Sequence, residues 1–132
     1  LFGAIDDLWQ AGTGELIVAD YKATARAEQP TTEKLYPSYQ RQMDVYQFLV
    51  RRQGFEVSDR GWFVYANGDA RAGAFEDRLR FTTTMVPYDG DDDWVLDEFR
   101  RAVAIVEGPD IPRAGEDCGY CAYVDQVAAV RD

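Results

Sequence analysis

Leu16-Ile17-Val18-Ala19-Asp20-Tyr21-Lys22 is apolar on both faces for four residues and becomes polar only at its end. That pattern predicts a central strand covered on both sides, with its polar groups raised at one end, where α/β sheets commonly carry their sites. Alternate residues of a strand share a face, so Asp20 and Lys22 project the same way, roughly 6.5 Å apart along the strand. Gly3-Ala4-Ile5-Asp6 lies just upstream in a mostly apolar stretch, Leu1 to Trp9, that reads as a second strand. Gln10 to Gly14 reads as the turn between them. Closing that hairpin with Trp9 opposite Glu15 sets Asp6 opposite Val18. Asp6 is then the diagonal neighbour of Asp20 on one face, roughly 7–8 Å away. A one-residue slip would send Asp6 to the other face.

Two carboxylates and a lysine suit hard-cation chemistry on a phosphodiester. Mg²⁺ prefers oxygen donors and is commonly held by one or two carboxylates together with substrate phosphate. Such an ion polarises the phosphate and lowers the pKa of bound water, and a lysine steadies the developing negative charge. On spacing alone, Asp6 and Asp20 read equally well as strand-end acids with Lys22 as their salt-bridge partner.

The rest of the chain supplies the frame. Residues 23–35 are polar, contain Pro30 and read as a loop, either a substrate-contacting element or a plain solvated connection. Tyr36 to Gln53 reads as a helix, with Pro37 in its first turn, Gly54 as its stop, and Tyr39, Met43, Tyr46 and Val50 as one stripe. Gln42 interrupts the surface beside Tyr39 and Tyr46, one helical turn from Tyr46. A buried glutamine needs partners, and a carboxylate or a DNA phosphate would serve; a boundary residue packed beside core tyrosines is the alternative. Gly61 to Ala66 reads as a strand, Asn67-Gly68-Asp69 as a turn, and Ala74 to Val86 as carrying another strand with Phe75, Leu79, Phe81 and Met85. Asp91 to Glu107 reads as a helix begun by three aspartates, with Val95, Phe99, Val103 and Val106 as its stripe. A short helix is expected over Tyr123 to Val130. Asp89 to Asp93 lacks the order of an EF-hand loop and reads as helix capping.

Composition bounds the function. At 132 residues the chain is expected to form one domain, and its 46% hydrophobic content fits a folded protein. A net charge of −10 disfavours non-specific DNA binding but leaves room for a local basic groove. Arg26, Lys34, Arg41, Arg51 and Arg52 are candidates for that groove, or else scattered solvated charges. Histidine is absent, which removes any histidine base or metal ligand from the sequence given. Two cysteines without a secretion signal, and no apolar run of membrane length, suggest a cytoplasmic protein with no membrane partner. Trp9, Trp62 and Trp94 read as packing residues. Because the chain starts at Leu1, apparently within a strand, N-terminal elements are expected to be missing.

Three motifs in order carry a family resemblance: Gly3-Ala4-Ile5-Asp6, the strand ending Asp20-Tyr21-Lys22, and Tyr39-x-x-Gln42-x-x-x-Tyr46 on the following helix. Together they resemble the RecB-type branch of the PD-(D/E)XK nuclease superfamily, which includes the CRISPR adaptation nuclease. The resemblance covers roughly the first fifty residues. It implies a restriction-endonuclease-like mixed β-sheet flanked by helices, and Mg²⁺- or Mn²⁺-dependent cleavage of single- or double-stranded DNA. An exonuclease, or a nuclease module of a repair, recombination or defence machine with a helicase partner, is the implied setting. A catalytically silent module with the same fold, binding DNA or protein, is the alternative. By resemblance Asp6, Asp20 and the Tyr21 carbonyl are metal ligands and Lys22 is the catalytic lysine. Gln42 and Tyr46 face the site, and Tyr39 and Arg41 join them as candidate substrate contacts.

The sequence also departs from that branch. Its members often carry an upstream helix with a histidine or glutamate, and the sequence given, which starts at Leu1, does not include one, so the site is expected to be incomplete in it. Some hold an iron–sulfur cluster through four cysteines, three near the C-terminus. Here only Cys118 and Cys121 are present, and Val127 stands where C-x2-C-x5-C spacing needs a third. An iron–sulfur cluster is therefore not expected. Two free, partly buried thiols are expected instead, with zinc shared between chains as the remaining alternative.

Overall fold

In the computed structural model, which describes residues 1–71, 73 and 77–131, the apolar run forms strand β2, Leu16–Thr24. It follows β1, Asp7–Gln10, and precedes helix α1, Pro37–Arg51, strand β3, Arg60–Gly68, and strand β4, Phe81–Asp89. Helices α2, Val95–Glu107, and α3, Gly119–Arg131, complete the order. The sheet runs β1-β2-β3-β4. Its outer pairs are antiparallel and the β2–β3 pair is parallel, so the expected mixed α/β sheet is present. A parallel pair needs a crossover, and α1 supplies it.

The hairpin register differs from the expected one by two residues. Trp9 pairs with Ile17 and Asp7 with Ala19. The reason is the loop. Ala11 N–H donates to the Glu15 carbonyl at 2.8 Å, leaving three residues, Gly12 to Gly14, to turn the chain. Gly14 closes the turn at φ 93°, the left-handed conformation that three-residue hairpin loops place last and that glycine adopts without steric penalty. An even shift preserves the faces, and it sets Asp6 level with Asp20 rather than diagonal to it. β1 itself is short: Leu1 to Asp6 lie outside any strand, and Phe2 is exposed.

Along β3 every second residue is buried, Gly61, Phe63, Tyr65 and Asn67. This face meets α1. Val18, Met43, Val50, Phe63 and Val86 form the core with Leu35, Val57 and Tyr65. Each large apolar side chain buried there contributes roughly 1.5–3 kcal/mol. Helix and strand approach closely at Gly61, where an added Cβ would stand 2.4 Å from the Met43 sulfur. The buried face of α1 includes Asp44 and Gln47 beside Met43 and Val50, while Tyr39 and Tyr46 are half-buried.

Other expected boundaries move. Asn67 and Gly68 continue β3 instead of turning. β4 begins at Phe81, later than expected; Leu79 precedes it, exposed, and Phe75 lies outside the described residues. The loop after β2 is tied down rather than simply solvated. Asn67 exchanges two hydrogen bonds with the Arg26 backbone, at 2.9 and 3.0 Å, and Thr32 donates to the Pro87 carbonyl at 3.1 Å. Leu35 is buried.

The chain divides into two compact units, Leu1–Leu96 and Asp97–Asp132. The first contains the whole sheet and α1. The second contains most of α2 and all of α3, where the apolar stripe expected to be buried beyond Val95 has an exposed Val106. No helix among the described residues is long and apolar enough to cross a membrane.

Candidate active site

Asp20 is the most deeply buried acid of the sheet, 2% exposed, at the point where β2 turns from apolar to polar. Lys22, two residues on along the same face, brings its Nζ to 2.5 Å from Asp20 Oδ2. That oxygen is sealed from solvent and makes no directed hydrogen bond, so the contact is an ion pair without hydrogen-bond geometry. The same ammonium donates to Gln42 Oε1 at 2.9 Å, and its nitrogen stands 4.5 Å from the centre of the Tyr39 ring. Gln42 in turn donates to the Tyr46 hydroxyl at 2.8 Å. One residue therefore links the strand carboxylate to the helix: Asp20, Lys22, Gln42 and Tyr46 form a continuous chain, with Tyr39 beneath the cation.

Electrostatics at Asp20 are opposed. Burial raises its carboxyl above the ordinary value and is the largest influence. The close contact with Lys22 and its positive charge pull it down, and the Asp6 charge pushes it up again. Burial wins, so the pair holds a carboxylate that is strained in its ionised form.

Asp6 reaches the same strand by another route. Its Oδ2 accepts the Tyr21 backbone N–H at 2.8 Å, which pins the chain before β1 to the polar end of β2. Gly3 explains how that segment approaches the helix: a Cβ there would stand 2.9 Å from the Tyr46 ring. The Tyr21 side chain points away from this cluster. Its hydroxyl donates to Asp7 Oδ2 at 2.8 Å, alongside the Trp9 indole at 3.0 Å, and these two bonds hold the Asp7 carboxyl below its ordinary value.

Arg41 is exposed, neighbouring Gln42 in sequence but on a different side of α1. The five-residue basic groove does not form. Arg51 pairs with Asp59 at 2.6 Å and with Asp92 at 2.9 Å, near the far end of α1, and Lys34 pairs with Glu28. Of that set Arg26 and the Glu28-paired Lys34 line the cleft beside Lys22, a cavity of about 100 Å³ walled by Tyr36, Tyr39 and Tyr65. The Arg26 guanidinium lies over the Tyr36 ring, 4.8 Å from its centre.

Two buried polar residues were not anticipated from the sequence. Asp44 accepts from the Asp91 amide at 3.2 Å and from the Trp94 indole at 3.0 Å, and Gln47 donates to the Ser58 and Asp59 carbonyls at 3.0 and 2.8 Å. Their spacing with Met43 and Val50, at steps of one, three and three, was the available signal. Cys118 and Cys121 are free and half-buried, as expected of the thiols.

The donors near Asp20 suit a hard cation. Two carboxylates and a backbone carbonyl offer oxygen, and one carboxylate oxygen of Asp20 lacks any hydrogen bond. No cluster of three or more Asp, Glu, Cys or His side chains poised around one point occurs among the described residues. The four-stranded mixed sheet with its helices is consistent with the restriction-endonuclease-like fold. Comparison with curated proteins finds no match, and comparison with solved structures finds none. A family model described as the PD-(D/E)XK nuclease superfamily matches residues 1–126, and the chain belongs to that superfamily.

Proposed function

We propose that this protein hydrolyses DNA phosphodiester bonds with a divalent metal, using Asp6, Asp20 and Lys22. Membership of the PD-(D/E)XK superfamily supports nuclease chemistry on DNA, and nucleases of that superfamily typically use divalent metals. The observation that carries the reading is the Asp20–Lys22–Gln42 linkage, an acid, a cation and an amide converging at the polar end of one strand.

Asp20, Asp6 and the Tyr21 carbonyl would hold Mg²⁺ or Mn²⁺. When bound, such an ion supplies a polarised phosphate oxygen and an acidified water. Lys22 contributes the fixed positive charge. Held between Asp20 and Gln42 and laid over Tyr39, its ammonium is oriented before substrate arrives, so little reorganisation accompanies the growth of negative charge on the phosphoryl oxygens. Gln42 orients Lys22, and Tyr46 orients Gln42. Tyr39 and the exposed Arg41 are the substrate contacts on the helix.

The finer placement follows from the same residues. The Gly3-to-Asp6, Asp20-to-Lys22 and Gln42-to-Tyr46 motifs favour the RecB-type branch with its CRISPR adaptation nuclease, acting as an exonuclease or as a nuclease module beside a helicase. The bond between Gln42 and Tyr46 supports that assignment, because it gives the helical motif a role at Lys22.

Digestion of labelled single- and double-stranded DNA with Mg²⁺ or Mn²⁺, and with a chelator, tests the proposal. Wild type is expected to cleave only with metal, and Lys22→Ala to be about 10²–10³-fold slower. Equal cleavage by wild type, Lys22→Ala and Asp20→Ala would assign the activity elsewhere. DNA binding without cleavage would identify the silent module instead.

A further inference from the structure

Beyond Lys22, where β2 ends at Thr24, β3 at Gly68, and β4 begins at Phe81, lies a cavity of about 500 Å³. Three arginines, Arg26, Arg71 and Arg80, line it against one acidic residue, Asp69. Asp69 is occupied, accepting the Arg71 backbone amide at 3.0 Å. None of the three arginines meets a carboxylate partner among the described residues; the Arg26 guanidinium bonds the neutral Tyr36 hydroxyl. Four other arginines are acid-paired: Arg51 with Asp59, Arg60 with Asp89, Arg100 with Asp97 and Arg101 with Glu98. Three cations on one concavity, with no carboxylate partner among the described residues, suit an anion from outside.

The cavity is continuous with the cleft beside Lys22. Arg26 and Gln29 line both. The buried Asn67 fixes that shared wall, because its amide exchanges hydrogen bonds with the Arg26 backbone in both directions. A cationic path therefore runs from Lys22 past Arg26 to Arg71 and Arg80.

We infer that Arg26, Arg71 and Arg80 form a phosphate-binding subsite that grips the backbone of the DNA strand beyond the Lys22 cleft. Arginine forks suit phosphate oxygens, and contacts of this kind set the register of a strand without reading its bases. The inference deepens the proposed nuclease reading and rests on it for the identity of the ligand.

The test is fluorescence anisotropy of a labelled DNA oligonucleotide on the full chain, in Ca²⁺, across a salt series, with cleavage in Mg²⁺ followed separately. Arg71→Ala/Arg80→Ala is expected to weaken binding about tenfold and to lower the salt slope by about two. Arg100→Ala/Arg101→Ala, which removes two acid-paired arginines, is the control and is expected to leave both unchanged. If wild type binds and the Arg71/Arg80 variant keeps its affinity and slope, the subsite is overturned whether or not DNA is cut. If the variant loses affinity while wild type cuts nothing, the subsite stands and the nuclease reading falls. A wild type that binds no DNA overturns the subsite.

Discussion

Asp20 on β2 and Asp44 on α1 are both buried aspartates, 2% and 5% exposed, and burial is the largest influence raising each carboxyl. They differ in what surrounds them. Asp44 is saturated with neutral donors: the Asp91 amide, the Trp94 indole and the Tyr88 hydroxyl. Tyr88 is correspondingly pushed up to about 12, chiefly by burial and then by the Asp44 charge. Asp20 has a single close partner, a cation, and an oxygen with no directed bond. A saturated carboxylate fastens elements together. An unsaturated one beside a lysine and a cleft keeps a lone pair for something that arrives. Burial alone therefore does not separate a structural acid from a site acid; the tally of donors does.

The largest expected effect breaks the comparison at Asp20. Asp20→Asn keeps the shape and a carbonyl acceptor for Lys22, so stability is expected to stay within about 1 kcal/mol of wild type. Cleavage is expected to fall by about a thousandfold or more. Urea unfolding and single-turnover digestion read the two halves, and an Asp20→Asn protein that cuts normally would remove Asp20 from the chemistry.

Asp44→Ala should do the reverse. It orphans the part-buried Asp91 amide, Trp94 indole and Tyr88 hydroxyl and is expected to destabilise the first unit by about 2 kcal/mol. Cleavage per folded molecule is expected to change less than about threefold. A large loss of cleavage at unchanged stability would erase the contrast between the two acids.

The smallest effect concerns pH. Burial raises the Asp44 carboxyl despite its three donors, so the folded chain holds that proton more tightly than the unfolded one. The resulting stabilisation is complete below the ordinary value of 3.8 and is lost as pH rises through the raised one. Asp44→Asn is expected to flatten the decline in stability over that window, read as the difference between two urea series. Parallel curves would mean that Asp44 titrates in the folded protein as it does in the unfolded chain.

Much of the site was legible because strand alternation is local. The apolar run of Leu16 to Ala19 ending in Asp20 and Lys22 needs no tertiary information to be read as a strand with a polar tip. The i, i+4 pair of Gln42 and Tyr46 is likewise set by helix geometry alone. The hairpin register was not, because it depends on whether Gly14 takes the left-handed conformation, and either loop length suits that glycine-rich turn. Asp44 and Gln47 were missed because polar residues in a helix read as solvent-facing until Ser58, Asp59, Asp91 and Trp94 supply their partners from outside the helix. The basic groove failed for the same reason: Arg51 finds Asp59 and Asp92 only after folding. Arg71 and Arg80 flank a region with no periodic pattern, so nothing local marked them as neighbours of Arg26.

The contact between Lys22 and Asp20 also constrains how this chain can change over generations. Replacing either by an apolar residue leaves the other as an uncompensated charge in a dry setting, a loss of roughly 3–5 kcal/mol. On the proposed nuclease reading, a lineage abandoning DNA cleavage is thus kept from discarding the two one at a time. The cheapest first step is Asp20→Asn, which neutralises the acid yet still offers Lys22 a carbonyl. Retired descendants of this fold should accordingly pass through asparagine at position 20 while the lysine persists, a fossil of activity readable in sequence before any assay.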